Sequence, residues 1–237
     1  MEQTHQSIRR DFLEETYEAL DALDREDLPA MREELGDVLM QVVFHAVIEE
    51  ERGNFTSADV VDGIARKMVY RHPHVFGGSL RAENTEQVLV NWEALKRREK
   101  DQRSTADAIE AVPHTLPALW RAEKVQKKTA KAGFDWSSPM DALAKLEEEI
   151  RELRQAMENG MAPDAPHGVR EELGDALFMT AKIAQMSGID PEDALHRACD
   201  KFDARFRLVE EGAERPLAEL TEEELSALWR AAKETLS

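Results

Sequence analysis

The sequence predicts an all-α protein made of two tandem copies of one four-helix unit. Three observations lead there. Apolar residues recur at three- and four-residue intervals through most of the chain, and no alternating run of convincing length suggests a strand. Glycine and proline together number 20 (11 + 9) in 237 residues, below the roughly 12% of average chains, so the helices should run long. The heptapeptide EELGDVL at 33–39 returns as EELGDAL at 171–177.

Taken in order, Ile8, Phe12, Leu13, Leu20 and Leu23 lie among acids at helical spacing and predict a helix over 7–25. Pro29 suits the first turn of a second helix, which runs to about Glu51 before Gly53-Asn54 breaks it. Ser57 is the expected N-cap of a third helix, 58–71, stopped by Pro73. Gly77-Gly78 opens a loop, and a fourth helix covers roughly 84–103. Pro113 and Pro117 bracket a connection. Further helices are expected over 117–131, 139–159, 167–187, 191–210 and 221–235, with Gly133, Pro139, Gly160, Pro163, Pro166, Gly188, Gly212 and Pro216 near their ends. Asp190 caps the one that Pro191 begins.

The repeat extends beyond one heptapeptide. Glu34 and Glu172 stand 138 apart (172 − 34). Glu15-x-x-Glu18 and Glu149-x-x-Glu152 stand 134 apart, as do Lys67-x-x-x-Arg71 and Lys201-x-x-x-Arg205. Trp92-x-x-x-Lys96 and Trp229-x-x-x-Lys233 stand 137 apart. Four features in one order at nearly one offset mark a duplication. The predicted domains are 1–103, a linker at 104–116, and 117–237, the second copy having an extra leading helix at 117–131.

The net charge of −18 (31 basic against 49 acidic residues) argues against a nucleic-acid binder, which needs a basic footprint, and against a protein drawn to anionic membranes. The longest apolar stretch, Val38–Ile48, is interrupted by Gln41 and His45 and is far short of the roughly 20 residues that span a bilayer. The N-terminus carries no signal-like apolar run. A single cysteine, Cys199, rules out an intramolecular disulfide and fits a reducing cytoplasm; on an apolar helix face it reads as a small core residue.

The repeated residues suggest chemistry. Glu149 and Glu152, at i and i+3, share a helix face, and Glu172 and Asp175 do the same on the next helix. Four carboxylates converging between neighbouring helices repel unless cations neutralise them, and an all-oxygen donor set suits Mg²⁺ or Mn²⁺. The first copy offers Glu15, Glu18, Glu34 and Asp37 in the same pattern. Gly36 and Gly174 sit between the second pair of each copy; a mid-helix glycine costs about 1 kcal/mol relative to alanine, which close helix approach or ligand access would offset. A lone ExxE is ordinarily a solvated helix face; duplication beside the apolar runs Val38–Phe44 and Ala176–Ile183 favours a metal cluster. Lys201 and Arg205 share a face as a clamp for phosphate oxygens, although an exposed pair bridged to Asp200 or Asp203 has the same pattern. Trp229 and Lys233 add a ring and a cation; the ring can stack on a base or fill the core, and Trp92 is read as core. Lys124, Lys127 and Lys128, in a basic stretch near the second cluster, are further phosphate candidates, while the basic island Lys96–Arg103 reads equally as steering charge or as a solvated face. His72-Pro73-His74 reads as a turn.

The pattern EExxE followed by ExxD resembles the MazG-type nucleoside triphosphate pyrophosphohydrolases, an all-α family. Glu14-Glu15-x-x-Glu18 and Glu34-x-x-Asp37 are separated by 15 residues, and Glu148-Glu149-x-x-Glu152 and Glu172-x-x-Asp175 by 19. LEETYE, RHPHVFGG, LPALWRAEKVQKK, AGFDW and KFDARF extend the likeness over nearly the whole chain. The resemblance implies Mg²⁺-dependent hydrolysis of NTPs to NMP and pyrophosphate at the α–β linkage, with broad base tolerance and, by analogy, nucleotide-pool housecleaning. It implies a homodimer whose subunits jointly build each four-helix core, with catalysis in the C-terminal repeat and a structural or regulatory N-terminal repeat. It also implies metal ligands Glu149, Glu152, Glu172 and Asp175, nucleotide contacts Lys201, Arg205, Trp229 and Lys233, and Glu148 or Glu171 to orient or deprotonate water. The family's Cys-Pro-Trp-Asp segment is absent before Gln3-Thr4-His5, whereas Gly133-Phe134-Asp135-Trp136 is present. Two other readings remain. A di-iron or di-manganese bundle ordinarily uses Glu-x-x-His, which neither cluster contains. A non-enzymatic interaction module would bind a partner through one bundle face.

Overall fold

The computed structural model describes residues 3–73, 75, 76, 92, 95 and 103–236. The expected loop at Gly77-Gly78, most of the expected helix 84–103 with its cations before Arg103, and His74 lie outside the described residues; Trp92 and Leu95 are helical. Among the described residues there are nine α-helices, one short 3₁₀ turn and no strand. The chain divides into two compact units, residues 1–100 and 101–237.

In the first unit, α1 (Arg9–Asp24) packs along α2 (Leu28–Glu51), which also touches α3 (Ser57–Arg71). Asp27 caps α2 by accepting a hydrogen bond from the Ala30 amide, with Pro29 in the first turn. The α3 cap is Thr56, one residue before the expected Ser57. Its hydroxyl and the Asp59 side chain form a reciprocal capping box, which Ser57 cannot make because no acid lies three residues beyond it. His72 ends the helix in a turn, as the following proline predicts.

The second unit opens with α4 (Thr105–Glu110), inside the stretch 104–116 expected to be a linker. A Ser104–Asp107 capping box secures this single short helix, which is too brief to show a periodicity. It touches α5 (Ala118–Lys131). α6 (Pro139–Glu158) packs along α7 (Val169–Met186), α5 lies against both α7 and α8 (Pro191–Gly212), and α9 (Glu222–Thr235) packs on α8 after a 3₁₀ turn at Leu217–Glu219. Gly160, at φ +60°, takes the left-handed conformation that ends α6 and turns the chain toward α7. Asp190 accepts from the Glu192 and Asp193 amides at the start of α8, as expected.

Small side chains let these helices approach: Ala142, Ala156 and Ala181 are fully or almost fully buried. The largest fully buried side chains are polar, Lys182 and Gln126. Gln126 donates through Nε2 to the Phe178 carbonyl at 2.7 Å and ties α5 to α7. Close helix approach does not account for Gly36 and Gly174: a Cβ built at either meets nothing within 4 Å. Cys199 is exposed, contrary to the core reading, because its face of α8 is left uncovered. No described helix is long and apolar enough to cross a membrane.

Candidate metal centre

The α6–α7 contact gathers acids. Glu149 comes from the middle of α6, Glu172 and Asp175 from the first two turns of α7, and carboxylate oxygens of the three lie within 4.8 Å of one another. Glu149 is 6% exposed and Glu172 4%, whereas Asp175 faces solvent. Glu152, the fourth expected ligand, is not within that set, but it feels it. Burial, then the Glu149 charge, raise its pKa, with Glu172 adding to the effect. Asp175 is likewise raised by burial, then Glu149 and Glu171. Like charges held together disfavour further ionisation.

The first unit repeats this on α1 and α2 with a different trio, Glu15, Glu18 and Glu34, again within 4.8 Å. Asp37 lies outside the trio yet helps raise the pKa of Glu15 and Glu34, in each case after burial. Each pattern of four thus yields three converging carboxylates and one neighbour. The omitted acid differs: Asp37 in the first repeat and Glu152 in the second.

Lys145 was not predicted. Its ammonium lies 2.8 Å from both Glu148 and Glu149, one turn before them on α6. A cation at i−4 from the first acid was readable from the sequence. These contacts raise the Lys145 pKa and lower that of Glu148. Glu171 accepts a hydrogen bond from the His167 amide at 2.8 Å, and His167 Nδ1 stands 3.5 Å from Glu172. Glu148 and Glu171, the two candidates for handling water, are therefore each anchored at the rim.

The expected phosphate clamp lies on α8. Lys201 is exposed, and Arg205 is half-buried with its Nε buried and without a hydrogen-bond partner. A buried guanidinium N–H left unsatisfied is rare. Trp229, half-buried on α9, packs against Phe202 with ring centroids 5.3 Å apart, and Lys233 is exposed one turn on. In the first repeat the counterparts Arg71 and Trp92 meet directly, the guanidinium 5.4 Å from the ring centroid. Of the α5 lysines, Lys124 is exposed, Lys128 is half-buried, and Lys127 pairs with Glu123 at 2.6 Å. Trp120 on the same helix donates to Asp190 at 2.9 Å, which ties α5 to the start of α8.

A second unpredicted group is a fully buried lysine. Lys182 of α7 pairs with Asp135, donates to Gln185 at 2.6 Å, and lies 5.8 Å from the Trp136 ring centroid. It ties the AGFDW stretch to α7.

The donor set fits a hard divalent cation: carboxylate oxygens from adjacent helices, two of the three buried, with no thiolate or imidazole among them. Fold and site together define a class, an all-α protein that carries a carboxylate-lined helix pair twice. The MazG nucleotide pyrophosphohydrolase domain matches residues 3–76 and again 137–209. A nucleoside triphosphate pyrophosphohydrolase of Escherichia coli K12 is 44% identical over 209 residues, covering 88% of this chain and 78% of that protein. The nucleoside triphosphate pyrophosphohydrolase/pyrophosphatase MazG of Thermotoga maritima is 40% identical over 234 residues, 98% of this chain and 87% of that one. Uncharacterized protein YabN of Bacillus subtilis is 46% identical over 98% of this chain, which spans only 47% of YabN. The chain belongs to the MazG nucleotide pyrophosphohydrolase family and is a hydrolase.

Proposed function

We propose that this chain hydrolyses nucleoside triphosphates to nucleoside monophosphate and pyrophosphate, with Mg²⁺ as cofactor and Mn²⁺ as a substitute, and with broad tolerance of base and sugar. The observation that carries the reading is the convergence of Glu149, Glu172 and Asp175 between α6 and α7. Glu152 stands by as a fourth ligand. The same reading assigns catalysis to the C-terminal repeat, where two of the three acids are buried, and a structural or regulatory role to the N-terminal one. The domains then run 1–103 and 117–237 about a connection at 104–116, and housecleaning of the nucleotide pool is the corresponding role.

In this reading Glu149, Glu152, Glu172 and Asp175 hold the metal, which when bound supplies charge neutralisation and activation of water. Arg205 and Lys201 hold phosphate oxygens, and the orphaned Arg205 Nε supports this assignment. Lys233, Lys124, Lys127 and Lys128 add positive charge around the polyphosphate, and the Trp229 edge left by Phe202 receives the base. Glu171 or Glu148 orients the water whose oxygen bonds to the α-phosphorus while the α–β bridging oxygen leaves with pyrophosphate.

A homodimer belongs to the same proposal. On α2, Leu35, Leu39, Val43 and Val47 form a stripe at four-residue spacing and are 41–62% exposed; on α7, Leu173 and Leu177 repeat its start at 47% and 51%. A partner helix would bury both stripes and explain the open space at Gly36 and Gly174.

Product analysis tests the function. The protein is incubated with each of the eight (d)NTPs in Mg²⁺ or Mn²⁺, and monophosphate and pyrophosphate are counted. Release of the two in equal amounts is expected; nucleoside diphosphate with orthophosphate would overturn the reaction assignment.

A further inference from the structure

The two acid clusters are compensated by different groups, and the difference is reciprocal in sequence. In the second repeat the Lys145 ammonium sits on Glu149 and Glu148, both at 2.8 Å. In the first repeat the residue at the matching position is Asp11 (145 − 134). There Glu15 is met instead by the buried side chain of Gln41, whose counterpart in the second repeat is Met179 (41 + 138). One repeat answers its buried Glu149 with a full positive charge, the other its half-buried Glu15 with a neutral amide.

We propose that Lys145 is a tethered counterion of the second cluster, occupying the approach to Glu149 and setting, by competition, how tightly that cluster takes a divalent cation. The proposal rests on the metal reading above and concerns the chain's own residue rather than the reaction. Lys145 is well placed for exchange. Its side chain is about one-third exposed, so it can swing into water without being stranded in the core. Its pair with Glu148 is exposed on both sides, and such pairs are weak. Glu149 is 6% exposed and would be costly to leave charged with neither lysine nor metal beside it. The lysine thus offsets part of the charge around Glu149, and the incoming ion must displace it. It is a positioning residue for the metal and is assigned no contact with substrate.

The test measures Mn²⁺ binding directly, by the electron paramagnetic resonance signal of the free ion, in the full chain with the first cluster disabled by Glu15→Gln and Glu34→Gln. In that background Lys145→Met is expected to tighten binding about twofold to fivefold, the scale of one partly exposed ion pair. Lys145→Arg, which keeps the charge, should restore weak binding, a result that a merely structural role would not produce. In the reciprocal background, with Glu172→Ala and Asp175→Ala, Asp11→Lys is expected to weaken binding at the first cluster. Unchanged or weaker binding in Lys145→Met, with Mn²⁺ still held by the second cluster, overturns the proposal alone. Absence of Mn²⁺ binding with either residue at 145 overturns the metal reading and the proposal together.

Discussion

Glu149 on α6 and Glu172 on α7 bring carboxylate oxygens within 4.8 Å of each other although both are over nine-tenths buried. Two buried anions at that range oppose folding unless something positive joins them. Lys145 does so for Glu149, and a divalent cation would do so for the whole group.

Replacing Glu172 and Asp175 together by alanine is therefore expected to reduce pyrophosphate release by at least about 100-fold, while the helical circular dichroism spectrum and melting temperature hold or rise. Removing two repelling acids relieves the fold even as it removes ligands. Unchanged hydrolysis would exclude this cluster as the active centre.

Divalent metal should stabilise the protein, and more at neutral than at acid pH. Glu152 and Asp175 have pKa values raised in the folded state, by burial first and then by neighbouring acids. The penalty of holding them ionised is fully present above their folded pKa values and is relieved as pH falls through those values toward the unfolded ones. Scanning fluorimetry with and without Mg²⁺ should show a gain in melting temperature at neutral pH that shrinks on acidification and disappears with a chelator. A gain independent of pH would separate metal stabilisation from these carboxylates.

A different acid sets the behaviour at low pH. Glu49 on α2 is pulled from 4.5 to about 2, first by its hydrogen bond to His5, then by Asn54 and Arg52. His5 Nε2 stands 2.5 Å from Glu49, and the His5 and His45 rings stack with centroids 5.0 Å apart, so the group clasps the N-terminal segment to α2. Because the folded pKa is depressed, its stabilisation is complete above about pH 4.5 and is lost as pH falls through about 2. The difference in melting temperature between the wild type and Glu49→Gln should close over that interval; a constant difference would assign the contribution to packing.

Lys182→Met should destabilise the second unit by roughly 2–3 kcal/mol in urea denaturation, toward the lower end for a broken buried pair because Asp135 retains some solvent. Adding Asp135→Asn to that variant should recover part of the loss. A neutral outcome for the single variant would mean that the buried ammonium contributes nothing net.

Leu39→Glu, on the exposed stripe of α2, is expected to convert a dimer to a monomer by light scattering, since it places a charge where an apolar partner face is required. A dimer that survives this change uses another surface.

Much of the fold was legible because helical signals are local. The Asp190–Pro191 start of α8, the Pro29 turn and the glycine stops depend on a few adjacent residues, and they stand where the sequence puts them. Misreadings came where two local signals competed. Thr56 outdid Ser57 because only Thr56 has an acid three residues on, and α4 was hidden in the expected linker because one and a half turns show no period. The acid clusters were legible through repetition, which no solvated face requires.

From sequence alone came the helices, the duplication and the eight acids, since each is a matter of spacing along one chain. Only tertiary structure decided which three acids of each four converge, that Lys145 is already bound to one of them, and that Lys182 lies buried against Asp135. It alone left Arg205 Nε buried without a partner. The physical reason is that i, i+3 spacing fixes only the face on which a side chain stands. Burial and charge at that face depend on what a second helix, distant in sequence, lays against it.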